Sequence, residues 1–232
     1  MAKDLAIVLN NGGVNSAVVT ALAAQKYRPV LVYAETAPGG APRARAAYDQ
    51  QVAHFKPFRE HTLAMSFVGT VEPSSARAVA GSAAGSVTAA SASDPRHHAP
   101  LGPQMVMLLP LVAAAVRIAA HYQAAAVYLG LRTGPRGDEL AQATEYVQVW
   151  NELVQMPCDQ PELELHAPLL ELEPWQVVDL GFQVAAPFER TWSCVGDGPE
   201  ACWACRGCRS REAAFQQAAK PDPARLRTAR NA

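Results

Sequence analysis

Four of the five cysteines, Cys194, Cys202, Cys205 and Cys208, fall within fifteen residues with the spacing C-x7-C-x2-C-x2-C. Thiolates two residues apart can be turned to the same side by a short knuckle. Four of them complete a closed tetrahedral zinc site with no position left for water, so the expected metal is structural Zn2+. Two other chemistries draw on the same residues. One is a disulfide pair, although nothing else in the chain points to an oxidising compartment. The other is an iron–sulfur cluster, which close C-x2-C-x2-C runs also ligate. The fifth cysteine, Cys158, lies in the Pro-flanked stretch Met156-Pro157-Cys158-Asp159 and reads as an incidental thiol.

A second candidate lies near the start. The apolar run Leu5-Ala6-Ile7-Val8-Leu9 reads as a buried strand, and Asn10-Asn11-Gly12-Gly13-Val14-Asn15-Ser16 follows it at once. A helix from Ala17 to Gln25 comes next. Strand, glycine loop and helix together present backbone N–H groups and a helix N-terminus to an anion. An ordinary tight βα turn has the same letters. A third candidate is the stretch Gly130 to Asp138, where Arg132 and Arg136 could meet a phosphate or simply stand in solvent. His97-His98 reads as a pair of solvated loop histidines.

The elements that must position these residues alternate. Strands are expected at Pro29–Tyr33, Phe58–Leu63, Ala124–Gly130 and Leu163–Leu169. Helices are expected at Arg43–Phe55, Met105–Tyr122, Asp138–Gln155, Pro174–Gly181 (ending at a glycine cap) and Arg209–Ala219. Such alternation implies an α/β fold with a parallel sheet, whose ligands bind where strands end at their carboxyl side. Residues 69–100 are rich in Ala, Ser and Gly and read as a long loop, with a small-residue helix possible at Ala76–Ala84.

The chain has 232 residues, half of them hydrophobic, enough for one sizeable core with a small module attached. A net charge of −1 supplies no global field toward nucleic acid or a membrane. The arginines at 206, 209, 211, 225, 227 and 230 form a basic C-terminal patch, yet they could equally neutralise a tetrathiolate. Nucleic acid is therefore not the expected partner. Met1-Ala2-Lys3-Asp4 does not open a signal peptide. The longest apolar stretch, Met105 to Ala120, is interrupted by Pro110 and Arg117. The expectation is a cytoplasmic protein without a membrane span.

The glycine loop after the first strand and the four-cysteine module opened by Thr191-Trp192-Ser193-Cys194 together resemble the 7-cyano-7-deazaguanine synthase family. The module continues in the family's style through Cys202-Trp203-Ala204-Cys205-Arg206-Gly207-Cys208-Arg209-Ser210-Arg211 to Ala213-Ala214-Phe215. Ala167-Pro168-Leu169 and Asp179-Leu180-Gly181 match the approach to it. The resemblance implies a Rossmann-like open parallel sheet of the adenine-nucleotide alpha-hydrolase (PP-loop ATP pyrophosphatase) type over residues 1–190. A zinc module with a closing helix would follow at 191–219, then a flexible tail at 220–232. It implies ATP- and Mg2+-dependent adenylation of a deazapurine-like carboxylate, amidation with ammonia and nitrile formation, on the route to queuosine. It also implies nucleotide binding by Asn11, Gly12, Gly13, Asn15 and Ser16, and makes a homodimer plausible.

Departures from the family pattern are concentrated in polar residues. The loop pattern Ser-Gly-Gly-x-Asp-Ser stands here as Asn11-Gly12-Gly13-Val14-Asn15-Ser16, so one carboxylate has become an amide. Tyr33-Ala34-Glu35-Thr36 replaces a Tyr-Gly-Gln-Arg-His type run, and Leu101-Gly102-Pro103-Gln104 replaces Pro-Gly-Arg-Asn. Thr133-Gly134-Pro135-Arg136-Gly137-Asp138-Glu139 has none of the lettering of the family's Asp-x-Ser-Gly-Tyr-Pro-Asp-Cys-Arg segment. These losses leave a second expectation beside the enzyme: a paralogue that keeps the fold and the zinc and acts by binding or as a scaffold.

Overall fold

The computed structural model describes residues 4–37, 41–70, 101–135, 137–155, 162–196 and 198–226. His97, His98, Arg136, Cys158, Arg227, Arg230 and the expected helix at 76–84 lie outside the described residues.

Five strands form one parallel sheet: β1 (Leu5–Leu9), β2 (Arg28–Glu35), β3 (Arg59–Ala64), β4 (Ala126–Tyr128) and β5 (Glu164–His166), in the order β3-β2-β1-β4-β5. β1 is central, with Ile7 opposite Val30 of β2 on one side and Val127 of β4 on the other. Apolar runs rather than alternation mark β1 and β2 because both faces are covered. On one face, Ile7, Val30, Val32 and Val127 pack under α4 (Leu101–Tyr122) and α5 (Gly137–Gln155). On the other, Val8, Leu31 and Tyr33 pack under α1 (Val14–Lys26), α2 (Pro42–Phe55), α6 (Pro174–Gln183) and α7 (Arg206–Gln217). A short helix, α3 (Phe67–Thr70), follows β3, and a 3-10 turn, Phe188–Arg190, precedes the cysteines.

The order of strands fixes where a ligand goes. From β1 the chain works outward to β3, then returns through α4 to the opposite side of β1. The loops after β1 and β4 therefore leave neighbouring strands in opposite directions, which opens a crevice at their carboxyl ends.

Several boundaries differ from the sequence expectation for identifiable reasons. Gly181 does not cap α6; it lies inside the helix, where an added Cβ would come within 2.2 Å of the Phe188 ring and 2.8 Å of Val18. It is a close-packing glycine. The closing helix begins three residues earlier than expected, inside the cysteine run, with Cys205 as its N-cap. The tail expected from residue 220 does not begin there: Asp222 is held in a buried ion pair with Arg211. The segment Met105–Tyr122, mean hydropathy 1.7, has the length and composition of a membrane span. Pro110 does not break it, and Met105, Val112, Ala115, Val116 and Ala119 pack it against the sheet.

Candidate functional site

A cleft of about 650 Å3 opens at the crevice between β1 and β4. Its floor is the loop Asn10–Gly13 with the first turn of α1; its walls come from α4, the Gly130–Arg132 loop, Pro174 of α6 and the start of α7. The sequence-expected residues Asn11, Gly13, Asn15, Ser16 and Arg132 all line it. Gly12 does not, but it shapes the loop.

The loop is held from within and from beneath. Asn10, 2% exposed, accepts from the Gly12 N–H at 2.8 Å. Its amide donates to Thr20 Oγ1 at 3.0 Å and to Gln51 Oε1 at 2.9 Å. Gln51, fully buried on α2, in turn donates to the Arg190 carbonyl at 3.1 Å. Asn11 Oδ1 accepts from the Gly13 N–H at 3.0 Å and from Ser16 Oγ at 2.7 Å. Gly12 has φ +79°, and a Cβ there would lie 2.3 Å from the Ala44 carbonyl oxygen. Only glycine meets both demands.

This bonding decides what the loop can offer a ligand. The first hydrogen bond of α1 runs from Ala17 N to Gly13 O, and the N-cap Gly13 has no side chain to cap the turn. The N–H groups of Val14, Asn15 and Ser16 thus have no partner within the helix, and all three residues line the cleft. Three backbone donors at the positive end of a 13-residue helix fit a phosphate oxygen group. By contrast, the N-terminus of α6 beside them is closed by a capping box of Glu173 and Gln176.

The charge of the cleft is one-sided. Among the described residues that line it there is no Asp or Glu, while Arg132, Arg206 and Arg211 are present. Arg211 is already neutralised: it forks onto Asp222 with bonds of 2.6 and 2.8 Å, and it donates to Thr191 Oγ1 at 2.6 Å and Phe188 O at 3.0 Å. Arg132 donates to Leu172 O at 3.4 Å. Asn15 spends its amide N–H on the Gly130 carbonyl at 3.1 Å, which ties the β1 loop to the β4 loop. Mg2+ demands oxygen ligands and is usually held by one or two carboxylates together with substrate phosphates. The lining residues do not supply such a donor set. They fit the phosphate but not a carboxylate-held Mg2+.

The metal centre abuts this cleft. The four Sγ atoms of Cys194, Cys202, Cys205 and Cys208 lie within 4.8 Å of one another, with Cys194–Cys202 at 3.5 Å and Cys194–Cys205 at 3.9 Å. A tetrahedron with Zn–S bonds of about 2.3 Å has edges of about 3.8 Å, so one ion fits the group. No pair of them is joined as a disulfide in this structure, and the four sulfurs converge on one point rather than pairing off. Backbone N–H groups point at the sulfurs: Gly196 and Cys202 at Cys194, Cys205 at Cys202, and Cys208 at Cys205, at 3.3 to 3.5 Å. Burial works against a Cys205 thiolate, but hydrogen bonds from the N–H groups of Val195 and Cys208 and from the Cys208 and Cys202 side chains together bring its pKa down to about 6. The N–H groups of Ala204 and Cys205 lower Cys202 as well. Burial, with Cys205 beside it, pushes Cys208 up to about 12.

Module and loop are joined directly. Trp192 N donates to the Gly12 carbonyl at 2.9 Å, and Gly207 sits so close under Ser193 that a Cβ would meet its carbonyl oxygen at 2.0 Å. Ser193, Arg206 and Ser210 thereby become part of the cleft wall. Sequence reading did not assign Asn10, Gln51, Ser193 or Ser210 to the site. The one available signal was Gln51 itself, a polar residue four positions after Ala47 on the apolar face of α2.

Comparison with known proteins places these features in a common setting. The family model described as queuosine biosynthesis protein QueC matches residues 5–219. The 7-cyano-7-deazaguanine synthase of Acidobacterium capsulatum is 26% identical over 230 residues, 95% of this chain and 96% of that protein. The synthase of the same name from Thermosynechococcus vestitus is 34% identical over 83 residues, 34% of this chain and 36% of that one. Among solved structures, the NMN synthetase of Francisella tularensis aligns with 95% of this chain and 79% of its own, at TM-score 0.46 and 11% identity.

Proposed function

The chain belongs to the queuosine biosynthesis protein QueC family, and from that membership we propose that it binds ATP on the α1 loop and activates the carboxylate of a deazapurine-like substrate for attack by ammonia. The observation that carries the nucleotide half is the uncapped N-terminus of α1, with the Val14, Asn15 and Ser16 N–H groups left without intrahelical partners and their residues lining a cleft. The match over almost the whole length of the Acidobacterium capsulatum synthase supports the substrate class.

In this reading ATP supplies what a carboxylate lacks, a leaving group that ammonia can displace. The chain's own residues bind and orient. The first-turn N–H groups of α1 hold phosphate oxygens, and preorganised donors of this kind favour charge that develops as pyrophosphate departs. The apolar side chains of α4 at Met107, Leu108 and Leu111 make a wall against which a planar ring can lie. The four cysteines hold a structural Zn2+ that fixes Ser193 and the start of α7 at the other wall.

A second reading is a nucleotide-binding paralogue without turnover. It is favoured by Asn15, whose neutral amide stands where the family carries a carboxylate and is committed to Gly130. One experiment separates the two. Full-length chain is incubated with ATP, 7-carboxy-7-deazaguanine and ammonium, and pyrophosphate and the nitrile are quantified. Release of both, dependent on the carboxylate, is the expected result. Saturable ATP binding without pyrophosphate selects the paralogue.

A further inference from the structure

We propose that the cleft binds its nucleotide polyphosphate without a divalent cation, with the Arg206 guanidinium providing the counter-charge that Mg2+ gives elsewhere. This rests on the nucleotide half of the reading above and not on turnover.

Three observations carry it. First, the described lining of the cleft holds no carboxylate, and the amide oxygens of Asn10 and Asn11 already accept hydrogen bonds. Asn10 Oδ1 accepts from Gly12, and Asn11 Oδ1 accepts from Gly13 and Ser16. A hard cation that strips its water reluctantly finds only neutral amide and hydroxyl oxygens among the described lining residues, and no carboxylate to repay the exchange. Second, Asn15 is specifically an amide. Its Nδ2 donates to the Gly130 carbonyl at 3.1 Å, a bond that binds the two walls of the crevice together. A carboxylate has no hydrogen to donate, and would set a negative charge against that carbonyl oxygen. The asparagine is thus built into the site as a neutral donor, and a phosphate arriving beside it meets no repulsion that a metal would have to relieve. Third, a cationic side chain takes the place of the missing metal. Arg206 stands exposed at the first position of α7 and lines the same cleft as the α1 loop. Guanidinium groups match phosphate oxygens two bonds at a time and remain charged at any physiological pH. Gly207 keeps Arg206 in place, because α7 starts hard against Ser193 and has no room to shift.

The arrangement favours the fully ionised polyphosphate over its Mg2+ complex, since the ion removes two of the negative charges that the arginine would meet. The test is calorimetric titration of the metal-loaded full chain with ATP, once with Mg2+ in excess and once with Mg2+ omitted and nothing added that would strip zinc. Binding without Mg2+ should be at least as tight as with it. Arg206→Ala should weaken the Mg2+-free binding about ten- to a hundredfold, the range for losing hydrogen bonds to a charged group. Arg206→Lys should recover part of that loss. Asn15→Asp should weaken Mg2+-free binding and make added Mg2+ restore it. Binding that appears only with Mg2+ in the unaltered chain overturns the metal-free inference and leaves the nucleotide reading standing. Mg2+-free binding unchanged by Arg206→Ala overturns the role given to the guanidinium. Absence of binding in both conditions overturns the nucleotide reading and this inference together.

Discussion

Gly12 concentrates the demands made on a single residue of the loop. Its φ of +79° is unfavourable for an L side chain, and a methyl group would be driven to 2.3 Å from Ala44 O. Its own carbonyl meanwhile accepts from Trp192. Gly12→Ala should therefore destabilise the chain by about 2–4 kcal/mol in urea unfolding, combining the left-handed penalty with backbone displacement. Stability within about 0.5 kcal/mol of the parent would show that the loop can relax elsewhere. The cysteines carry a different prediction at the same scale. Burial and the neighbouring Cys205 hold the Cys208 thiol up at about 12, so the metal-free module at neutral pH retains a proton there. Zinc needs thiolates, so binding expels that proton, and affinity must fall as pH falls. Competition with a chromophoric chelator should give weaker binding at about pH 6 than at about pH 8, and pH-independent binding would contradict it.

Among the elements, α7 does the most to join the metal centre to the cleft. It is capped by Cys205, carries Cys208, and lays Arg211 under the 188–193 segment. The Arg211 and Asp222 side chains are only 4% and 7% exposed. Arg211→Ala would leave a buried carboxylate without its partner, at a cost of about 3–5 kcal/mol by thermal or urea unfolding. A change under about 1 kcal/mol, the value of an exposed pair, would mean that water reaches the pair in solution. What was legible in the sequence follows from how local each signal is. The cysteine knuckles and the Gly12-Gly13 loop are specified within a few residues of themselves, and strands β1 and β2 by continuous apolar runs. Asn10, Gln51 and Arg190 form one chain of hydrogen bonds across 41 and 139 residues of sequence, and no spacing rule reveals such a contact. Gly181 misled for the same reason. A glycine near the end of an apolar helix reads as a cap, and only the position of Phe188 makes it a packing residue. Arg211 looked like one member of a basic patch until Asp222 was found beneath it.

At the scale of the whole molecule, the sheet order brings together two ends of the chain that the sequence holds far apart. The loop after β1 supplies phosphate-binding N–H groups, and the cysteine module supplies the opposite wall, with Trp192 N on Gly12 O as the joint. The fold and the metal-ligand set agree with family membership. The α1 loop carries amides at Asn11 and Asn15 and the described cleft lining holds no carboxylate, which leaves phosphate binding as the property on which everything else depends. The most direct test is calorimetric titration of the metal-loaded full chain with ATP, with pyrophosphate assayed in the same cell after 7-carboxy-7-deazaguanine and ammonium are added. The expected result is saturable binding, followed by pyrophosphate release once the carboxylate is present. No detectable binding up to millimolar ATP would contradict the assignment of the α1 loop as a nucleotide site.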